Sequence, residues 1–146
     1  MLNKKLLIVD DCEIVRTLCS YILAKKGLNI TLASNGLEGL EKVKLEHPDL
    51  VILDIIMPEM NGYQVCRQIK SQPQTMNIPV VFCSGKNAEV DVYWAMKQGA
   101  DGYISKPVNK DELMALMGRF HIIKNVSEEY SNQCFYKQGR VRILPA

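Results

Sequence analysis

The chain reads LVILD at residues 50–54, four apolar residues followed by a carboxylate. LLIVDD at residues 6–11 has the same form, and PVVFCS at residues 79–84 is a further apolar run that ends at a serine. A fourth, GYISKP at residues 102–107, ends at a lysine and a proline, and a weaker apolar run spans residues 29–33. Strands that are apolar on both faces are typical of a parallel sheet covered by helices on both sides. The five runs therefore predict five buried parallel strands.

The segments between these strands have helical spacing, with apolar or small residues three or four positions apart. The residues concerned are Ile14, Leu18 and Ile22; Gly62, Val65, Cys66 and Ile69; Ala88, Val92, Ala95, Met96 and Gly99; and Leu113, Leu116, Met117 and Phe120. Asn35 and Asn109, each followed by Glu three residues later, resemble the first residue of a helix capping box. Strands and helices alternating in about 120 residues predict a doubly wound α/β fold, whose ligands bind beyond the carboxyl ends of the strands.

The composition is that of an ordinary single soluble domain. The 146 residues have a formal net charge of +2, and 47% are hydrophobic, which is enough for one core without disulfides. The five cysteines form no CxxC pair, which indicates reduced thiols in a cytoplasmic protein. No apolar stretch approaches the roughly 20 residues that span a bilayer, and no clustered basic face indicates nucleic-acid binding. We therefore expect neither membrane insertion nor a nucleic-acid partner.

Ionisable and hydroxyl side chains stand at the ends of four predicted strands. Asp10 and Asp11 follow the first strand, Asp54 follows the third, Ser84 ends the fourth and Lys106 follows the fifth. In a parallel sheet these side chains converge on one edge. Two like charges ~4 Å apart repel by roughly 4 kcal/mol at an effective dielectric of 20, so the carboxylates favour a bound cation. Oxygen ligands without His or Cys select a hard ion such as Mg²⁺.

A carboxylate, a hard cation, a lysine and a hydroxyl are the groups that in-line phosphoryl transfer uses. Asp54 is the candidate nucleophile, because a carboxylate can form a covalent aspartyl phosphate. Lys106 supplies a point charge and Ser84 a hydroxyl donor for the phosphoryl oxygens. The alternative, a set of unrelated solvated loop residues, does not account for the position of all of them at the ends of predicted strands.

These motifs resemble the receiver domains of two-component response regulators. The similarity covers about residues 4 to 120 and rests on LIVDD at 7–11, LDIIMPEMNG at 53–62, CSG at 83–85 and SKP at 105–107. It implies a flavodoxin-like sheet with strand order 2-1-3-4-5. It also implies that Asp54 accepts a phosphoryl group from a histidine kinase, that Lys106 pairs with phosphate oxygens, and that Ser84 moves towards them.

The resemblance assigns further roles around this site. The three carboxylates and the backbone carbonyl of Ile56 would hold Mg²⁺, and Pro107 would follow a cis peptide bond. Tyr103 would be a switching aromatic that turns inward on activation, with a buried structural role as the alternative. Ile56 is apolar and Lys86 is basic where they flank the path of the hydrolytic water. In these two residues the chain departs from the family pattern, and both bear on how long the phosphorylated state lasts.

Residues 93–101, YWAMKQGAD, are similar to stand-alone chemotaxis-type receivers of pilus, twitching-motility or phototaxis pathways. Val90, Trp94 and Lys97 fall on the side of the fourth helix opposite its predicted buried stripe. With Tyr103 they form a predicted partner surface. The alternatives are that the C-terminal tail covers Trp94, or that Trp94 is a singly exposed residue with no partner.

The receiver domain is predicted to span residues 1–122 and a tail to span residues 123–146. The tail is either a β-hairpin around Gly139 or a disordered segment. It is too short for a DNA-binding output domain. The signal would therefore pass by contact to a downstream protein or to a second copy of the chain.

Three other functions compete with a phosphorylation switch. A haloacid-dehalogenase-type phosphatase needs a second Asp two residues after its nucleophile, where this chain has Ile56. A flavodoxin-like cofactor carrier needs a phosphate-binding loop after the first strand, where Asp10 and Asp11 would repel phosphate. A phosphorylation-independent interaction module usually lacks one of the site residues, and this chain keeps all of them. We therefore expect a signalling switch whose only turnover is slow autodephosphorylation.

Overall fold

The computed structural model describes residues 3–86, 88–123 and 141–143. Within these ranges the elements are β1 (Lys5–Val9), α1 (Glu13–Ala24), β2 (Asn29–Ala33), α2 (Gly36–Glu46), β3 (Leu50–Leu53), α3 (Gly62–Ser71), β4 (Val80–Ser84), α4 (Glu89–Lys97), β5 (Gly102–Ser105), α5 (Lys110–Arg119) and β6 (Val141–Ile143). They form one sheet in the order β2-β1-β3-β4-β5-β6. The predicted order of the five parallel strands is confirmed, and β6 adds an antiparallel strand outside β5.

The sheet separates two apolar layers. Successive side chains of a strand point to opposite faces, so Leu7 and Val9 pack with residues of α2, α3 and α4, whereas Leu6 and Ile8 pack with residues of α1 and α5. All four are at most 1% exposed. The sandwich therefore buries both faces of β1, which is why its sequence is a continuous apolar run and not an alternating one.

Side-chain caps fix where three helices begin. The side chain of Asn35 accepts a hydrogen bond from the backbone N–H of Glu38, and that of Asn109 accepts one from the backbone N–H of Glu112, so both Asn residues are N-caps. The predicted capping box of α2 is incomplete, because the Glu38 carboxylate accepts from the Ser34 N–H. Asn61, which the spacing of apolar residues did not single out, caps α3 in a reciprocal pair with Gln64. This last cap holds the start of α3 against the loop that follows β3.

Two helices bury a different set of residues from the one that their spacing indicated. In α1 the residues of the predicted stripe, Ile14 and Leu18, are 77% and 40% exposed, whereas Cys19 and Leu23 are buried. In α4 the predicted buried residue Met96 is 45% exposed, because at 100° per residue it lies roughly 70° from the centre of the face defined by Val92 and Ala95. Apolar spacing located both helices and identified Val92 and Ala95 as buried in α4, but it placed the buried face of α1 wrongly.

The predicted tail hairpin lies mostly outside the described residues. Its first arm, residues 133–137, is not among them, and residues 141–143 of its second arm form β6. No helix in the described part of the chain is long and apolar enough to cross a membrane.

Candidate functional site

The carboxyl ends of β1 and β3 bring three carboxylates together. Val9 and Leu53, the last residues of these neighbouring strands, are register partners, so Asp10 and Asp54 emerge side by side. One carboxylate oxygen from each of Asp10, Asp11 and Asp54 lies within 4.8 Å of the others. Asp10 and Asp54 are buried and Asp11 is exposed. The cluster is therefore open to solvent on the Asp11 side and closed beneath.

Lys106 bridges the two buried carboxylates. Its Nζ lies 2.8 Å from Oδ2 of Asp10 and 3.4 Å from Oδ1 of Asp54. Burial alone would lower the pKa of Lys106, but the hydrogen bond to Asp10 and the charges of Asp10 and Asp54 outweigh it and raise that pKa. The backbone N–H of Lys106 donates to the carbonyl of Ser84, and the expected cis peptide bond joins Lys106 to Pro107. The lysine is thus a fixed cation at the ends of β4 and β5.

The carboxyl group of Asp54 lies in an environment that disfavours its charged form. Burial, with the nearby charge of Asp10, raises its pKa from 3.8 to about 6, although Lys106 acts in the opposite direction. The backbone N–H of Ile55 donates to Oδ1 of Asp54 at 2.9 Å and holds the carboxylate in place. At neutral pH Asp54 is ionised, in an environment that favours its neutralisation.

Two residues that support the site were not found by sequence reasoning. A Cβ on Gly62 would lie 2.0 Å from the carbonyl oxygen of Asp54, so only glycine fits where α3 approaches β3. The Gly62 N–H also donates to the carbonyl of Ile55. Arg16 of α1 donates from its guanidinium to the Asp10 carbonyl at 2.6 Å. Gly62 belongs to the motif at residues 53–62, which is a sequence signal for it, whereas nothing in the sequence pattern distinguishes Arg16.

Ser84 and Tyr103 meet at the backbone of Lys86. Oγ of Ser84 accepts a hydrogen bond from the Lys86 N–H at 3.2 Å, and the Tyr103 hydroxyl donates to the Lys86 carbonyl. Burial raises the pKa of Tyr103 to about 12, opposed by a hydrogen bond with Ser84. Tyr103 is 1% exposed, with its ring centroid 6.5 Å from that of Phe82. Its side chain therefore lies inward, beside Ser84.

The predicted partner surface is only partly assembled. Val90, Trp94 and Lys97 are exposed on α4, as expected, and Tyr93 joins them. Tyr103, expected on the same surface, is instead buried because β5 is a covered strand whose ring-bearing face turns towards the layer of α4. Ile56 is 60% exposed in the loop after Asp54, at the rim of the site.

Comparison with known proteins agrees with this geometry. Residues 6–117, most of the chain, match the family model of the response regulator receiver domain. The chain belongs to the response regulator receiver family. This receiver is 38% identical over 150 residues to the alkaline phosphatase synthesis transcriptional regulatory protein PhoP of Bacillus subtilis, covering 99% of this chain and 62% of PhoP. The chain thus spans less than two thirds of the length of that relative.

Two shorter relatives match over most of their own length. Protein PilH of Pseudomonas aeruginosa is 37% identical to this receiver over 110 residues, which are 75% of this chain and 91% of PilH. The solved structure of the chemotaxis protein CheY4 of Vibrio cholerae aligns with a TM-score of 0.77 at 27% identity, covering 82% of this chain and 99% of CheY4. The resemblance drawn from the motifs is confirmed, as is the flavodoxin-like fold that it implied.

Proposed function

We propose that this receiver is a phosphorylation-controlled signalling switch, in which a histidine kinase transfers a phosphoryl group to the carboxylate of Asp54. The observation that carries the proposal is the pairing of buried Asp54 with the Lys106 ammonium 3.4 Å away, beside two further carboxylates. An anionic nucleophile, a fixed cation and a cation-binding acidic cluster at the end of a parallel sheet are the parts that phosphoryl transfer requires.

The transfer step follows from these groups. A carboxylate oxygen of Asp54 attacks the phosphorus, the bond from phosphorus to the kinase imidazole nitrogen breaks, and the electron pair stays on that nitrogen. Lys106 neutralises part of the charge of the phosphoryl oxygens, while the Ile55 N–H keeps Asp54 Oδ1 oriented. The product is an acyl phosphate on Asp54, and its slow hydrolysis is the only turnover that we assign to the chain.

The acidic cluster fits Mg²⁺. Three carboxylate oxygens within 4.8 Å, with no His or Cys among them, form the donor set of a hard cation. Asp10, Asp11 and Asp54, with the backbone carbonyl of Ile56, would hold the ion. When bound, it would offset the negative charge that accumulates on the phosphoryl oxygens.

The switch follows from the shared contact at Lys86. If Oγ of Ser84 turns away from Lys86 to donate its hydroxyl to a phosphoryl oxygen, the Lys86 N–H loses its acceptor and the loop after β4 moves. Tyr103 is bonded to the carbonyl of the same residue, so its position responds to that movement. We assign Ser84 and Tyr103 the switching role, acting through the start of α4.

Output passes by protein contact on the exposed side of α4. Trp94 and Tyr93 form an edge-to-face pair with centroids 5.7 Å apart, and the ammonium of Lys97 lies 5.3 Å from the centroid of the Tyr93 ring. With Val90 these residues present an aromatic and cationic patch of the kind that anchors interfaces. The partner is a downstream protein or a second copy of the chain.

The pathway that we propose is chemotaxis-like control of motility. Its support is the similarity to the chemotaxis protein CheY4 and to PilH, both of which this receiver covers almost end to end. Residues 1–122 form the receiver and residues 123–146 its tail. We place the protein in the cytoplasm, where its described cysteines, all free, would stay reduced.

Phosphorylation by a small phosphodonor tests the proposal. Incubation with acetyl phosphate and Mg²⁺ should add one phosphoryl group to the wild type, as measured by intact mass, and none to Asp54→Asn. Asp111→Asn, an exposed carboxylate at the start of α5, is the matched control and should be labelled like the wild type. Undiminished labelling of Asp54→Asn would refute the assignment. A wild type that cannot be labelled would favour the phosphorylation-independent interaction module.

A further inference from the structure

The outer edge of β5 is covered by a strand from the C-terminal tail. Gly102, Tyr103 and Ile104 of β5 pair antiparallel with residues 143, 142 and 141 respectively. This is the one antiparallel pairing among the described strands, since every other neighbouring pair in the sheet is parallel. Without β6, the peptide groups along the outside of β5 would form a free sheet edge, which readily pairs with another extended chain.

The covering strand lies outside the receiver itself. The family match ends at residue 117, and β6 begins at residue 141. The cover therefore comes from residues beyond those that match the receiver family model. The strand order 2-1-3-4-5 of the five parallel strands is complete without it.

β6 is held to β5 by a short strand pairing. β6 has three residues, which is short for a strand, so few ladder hydrogen bonds hold it. Its occupancy benefits from attachment to the same chain, because a tether raises the local concentration of a weak binding segment. The sequence around it, Arg140-Val141-Arg142-Ile143, alternates basic and β-branched residues, which suits an extended strand with one residue type on each face.

We propose that the outer edge of β5 is a strand-binding site that residues 141–143 fill in cis. A partner binds there by displacing β6 and adding its own extended segment, antiparallel to β5, with alternating basic and β-branched residues. Strand addition of this kind takes its affinity from main-chain hydrogen bonds and its specificity from alternate side chains. The tail thus competes with the partner within the same molecule.

Competition between the tail and a partner for the edge of β5 would also affect the site that contains Asp54. Tyr103 pairs with residue 142 on one side of β5 and with Phe82 of β4 on the other. Lys106 follows β5 directly. The occupant of this edge therefore contacts the strand that positions both the switching aromatic and the site lysine. The proposal concerns the sheet edge alone and holds whether or not Asp54 is phosphorylated.

A double proline variant of the full chain tests the covered edge. Arg142→Pro with Ile143→Pro removes two successive N–H groups, one of which faces β5 because neighbouring residues of a strand alternate in direction. Arg142→Thr with Ile143→Val keeps both N–H groups and β-forming side chains, and is the matched control. Amide hydrogen exchange of β5, without a phosphodonor, should be at least tenfold faster in the proline variant than in the wild type and the control.

A peptide supplied in trans tests the binding site. We expect a synthetic peptide with the sequence of residues 139–144, at millimolar concentration, to restore slow exchange of β5 in the proline variant and to leave the wild type unchanged. Equal exchange in the wild type and the proline variant would overturn the cis pairing. A peptide that fails to protect the proline variant would overturn the strand-binding site, and one that binds the wild type equally well would overturn the competition.

A second variant guards against misfolding. If circular dichroism shows that the proline variant is unfolded, Val141→Asp with Ile143→Asp replaces it, because Asp disfavours strands but keeps the backbone donors. The same exchange and peptide measurements then apply, with the same outcomes deciding for or against the proposal.

Discussion

At the residue scale, the buried carboxylates of Asp10 and Asp54 repel each other, and the single ammonium of Lys106 offsets only part of that repulsion. Two buried carboxylates share one ammonium, and the acid proposed to react is the one whose pKa rises, to about 6. A group with these surroundings is stabilised by whatever neutralises it. A cation bound at the carboxylates has this effect, and it would also balance the further negative charge that a phosphoryl group brings to Asp54.

Asp54→Asn should therefore stabilise the apo protein above pH 6. The folded pKa of about 6 exceeds the ordinary value of 3.8, so the folded state binds the proton more tightly. Stability then falls as pH rises from about 4 to about 6, and the loss persists above pH 6. We expect Asn to raise the free energy of unfolding by about 1 to 3 kcal/mol at pH 8, and the gain to vanish near pH 4.

Urea unfolding at the two pH values, without divalent cations, measures this effect. Asp111→Asn, which removes an exposed carboxylate, should stay within roughly 0.5 kcal/mol of the wild type at both pH values. An Asp54→Asn protein that is less stable than the wild type at pH 8 would show that Lys106 dominates the environment of Asp54 and that burial does not.

Gly62→Ala should disrupt the site by displacing the backbone of Asp54. The added Cβ would overlap the Asp54 carbonyl oxygen, so either β3 or the start of α3 must move. We expect a loss of about 2 kcal/mol or more of stability and slower phosphorylation of Asp54. Gly85→Ala is the matched control, because its Cβ would meet no atom within 4 Å. Normal stability and labelling of Gly62→Ala would contradict the prediction, because it would mean that the backbone near Asp54 moves aside without cost.

At the element scale, α4 carries little of the core and much of the accessible surface. It buries Val92 and Ala95, while four large apolar side chains, Val90, Tyr93, Trp94 and Met96, are about half exposed. A helix attached by so narrow a buried face can shift at low cost. Its position directly after the loop that follows Ser84 and contains Lys86 makes it the element through which the site would reach a partner.

Trp94→Ala should impair output and leave the chemistry intact. Trp94 is half exposed, so its removal should cost little stability and should not slow the labelling of Asp54. We expect binding of the partner to weaken by about 2 kcal/mol, a typical contribution of an interface anchor. Tyr21→Ala, which removes an exposed aromatic from α1, is the control. Equal partner binding by Trp94→Ala and the wild type, measured by calorimetry, would place the output surface elsewhere.

The same elements show what sequence could and could not predict. The strand ends were located correctly because short runs that are apolar on both faces are typical of buried parallel strands, and Asp10, Asp54 and Lys106 followed from them. The buried face of α1 was not, because a spacing of four residues is compatible with more than one face; in α4, Val92 and Ala95 were predicted correctly and Met96 was not. Gly62 lies in the motif at residues 53–62, but its close approach to the Asp54 carbonyl leaves no signal of its own. Nothing in the sequence pattern distinguishes Arg16.

At the scale of the whole molecule, the proposed metal binding would couple the stability of the fold to the acidic cluster. A ligand that binds only the folded state raises its stability by RT ln(1 + [L]/Kd), which is about 2.7 kcal/mol at a hundredfold excess over Kd. We expect saturating Mg²⁺ to raise the melting temperature by roughly 5 to 10 °C. Asp11→Ala should reduce the shift, since it removes one donor and leaves the buried acids in place.

Thermal unfolding with and without chelator measures the shift. Ca²⁺ and Mn²⁺ should act in the same direction, because the donor set is all oxygen. Glu13→Ala, an exposed acid in the first turn of α1 and outside the cluster, is the control and should keep the wild-type response. A melting temperature that does not respond to any divalent cation would remove the metal from the proposed mechanism.

The described cysteines differ in accessibility, so one of them can be labelled selectively with a fluorescent dye. Burial raises the pKa of the Cys19 thiol to about 11, that of Cys66 to about 12 and that of Cys83 further still, whereas Cys12 is exposed. A maleimide dye should therefore attach at Cys12 among the described cysteines, once Cys134 is replaced by Ser. Cys12 adjoins Asp11, and its N–H donates to Oδ1 of Asp10. A dye on this native thiol would sit beside the acidic cluster, where its brightness would follow ion binding and phosphorylation of Asp54 in real time.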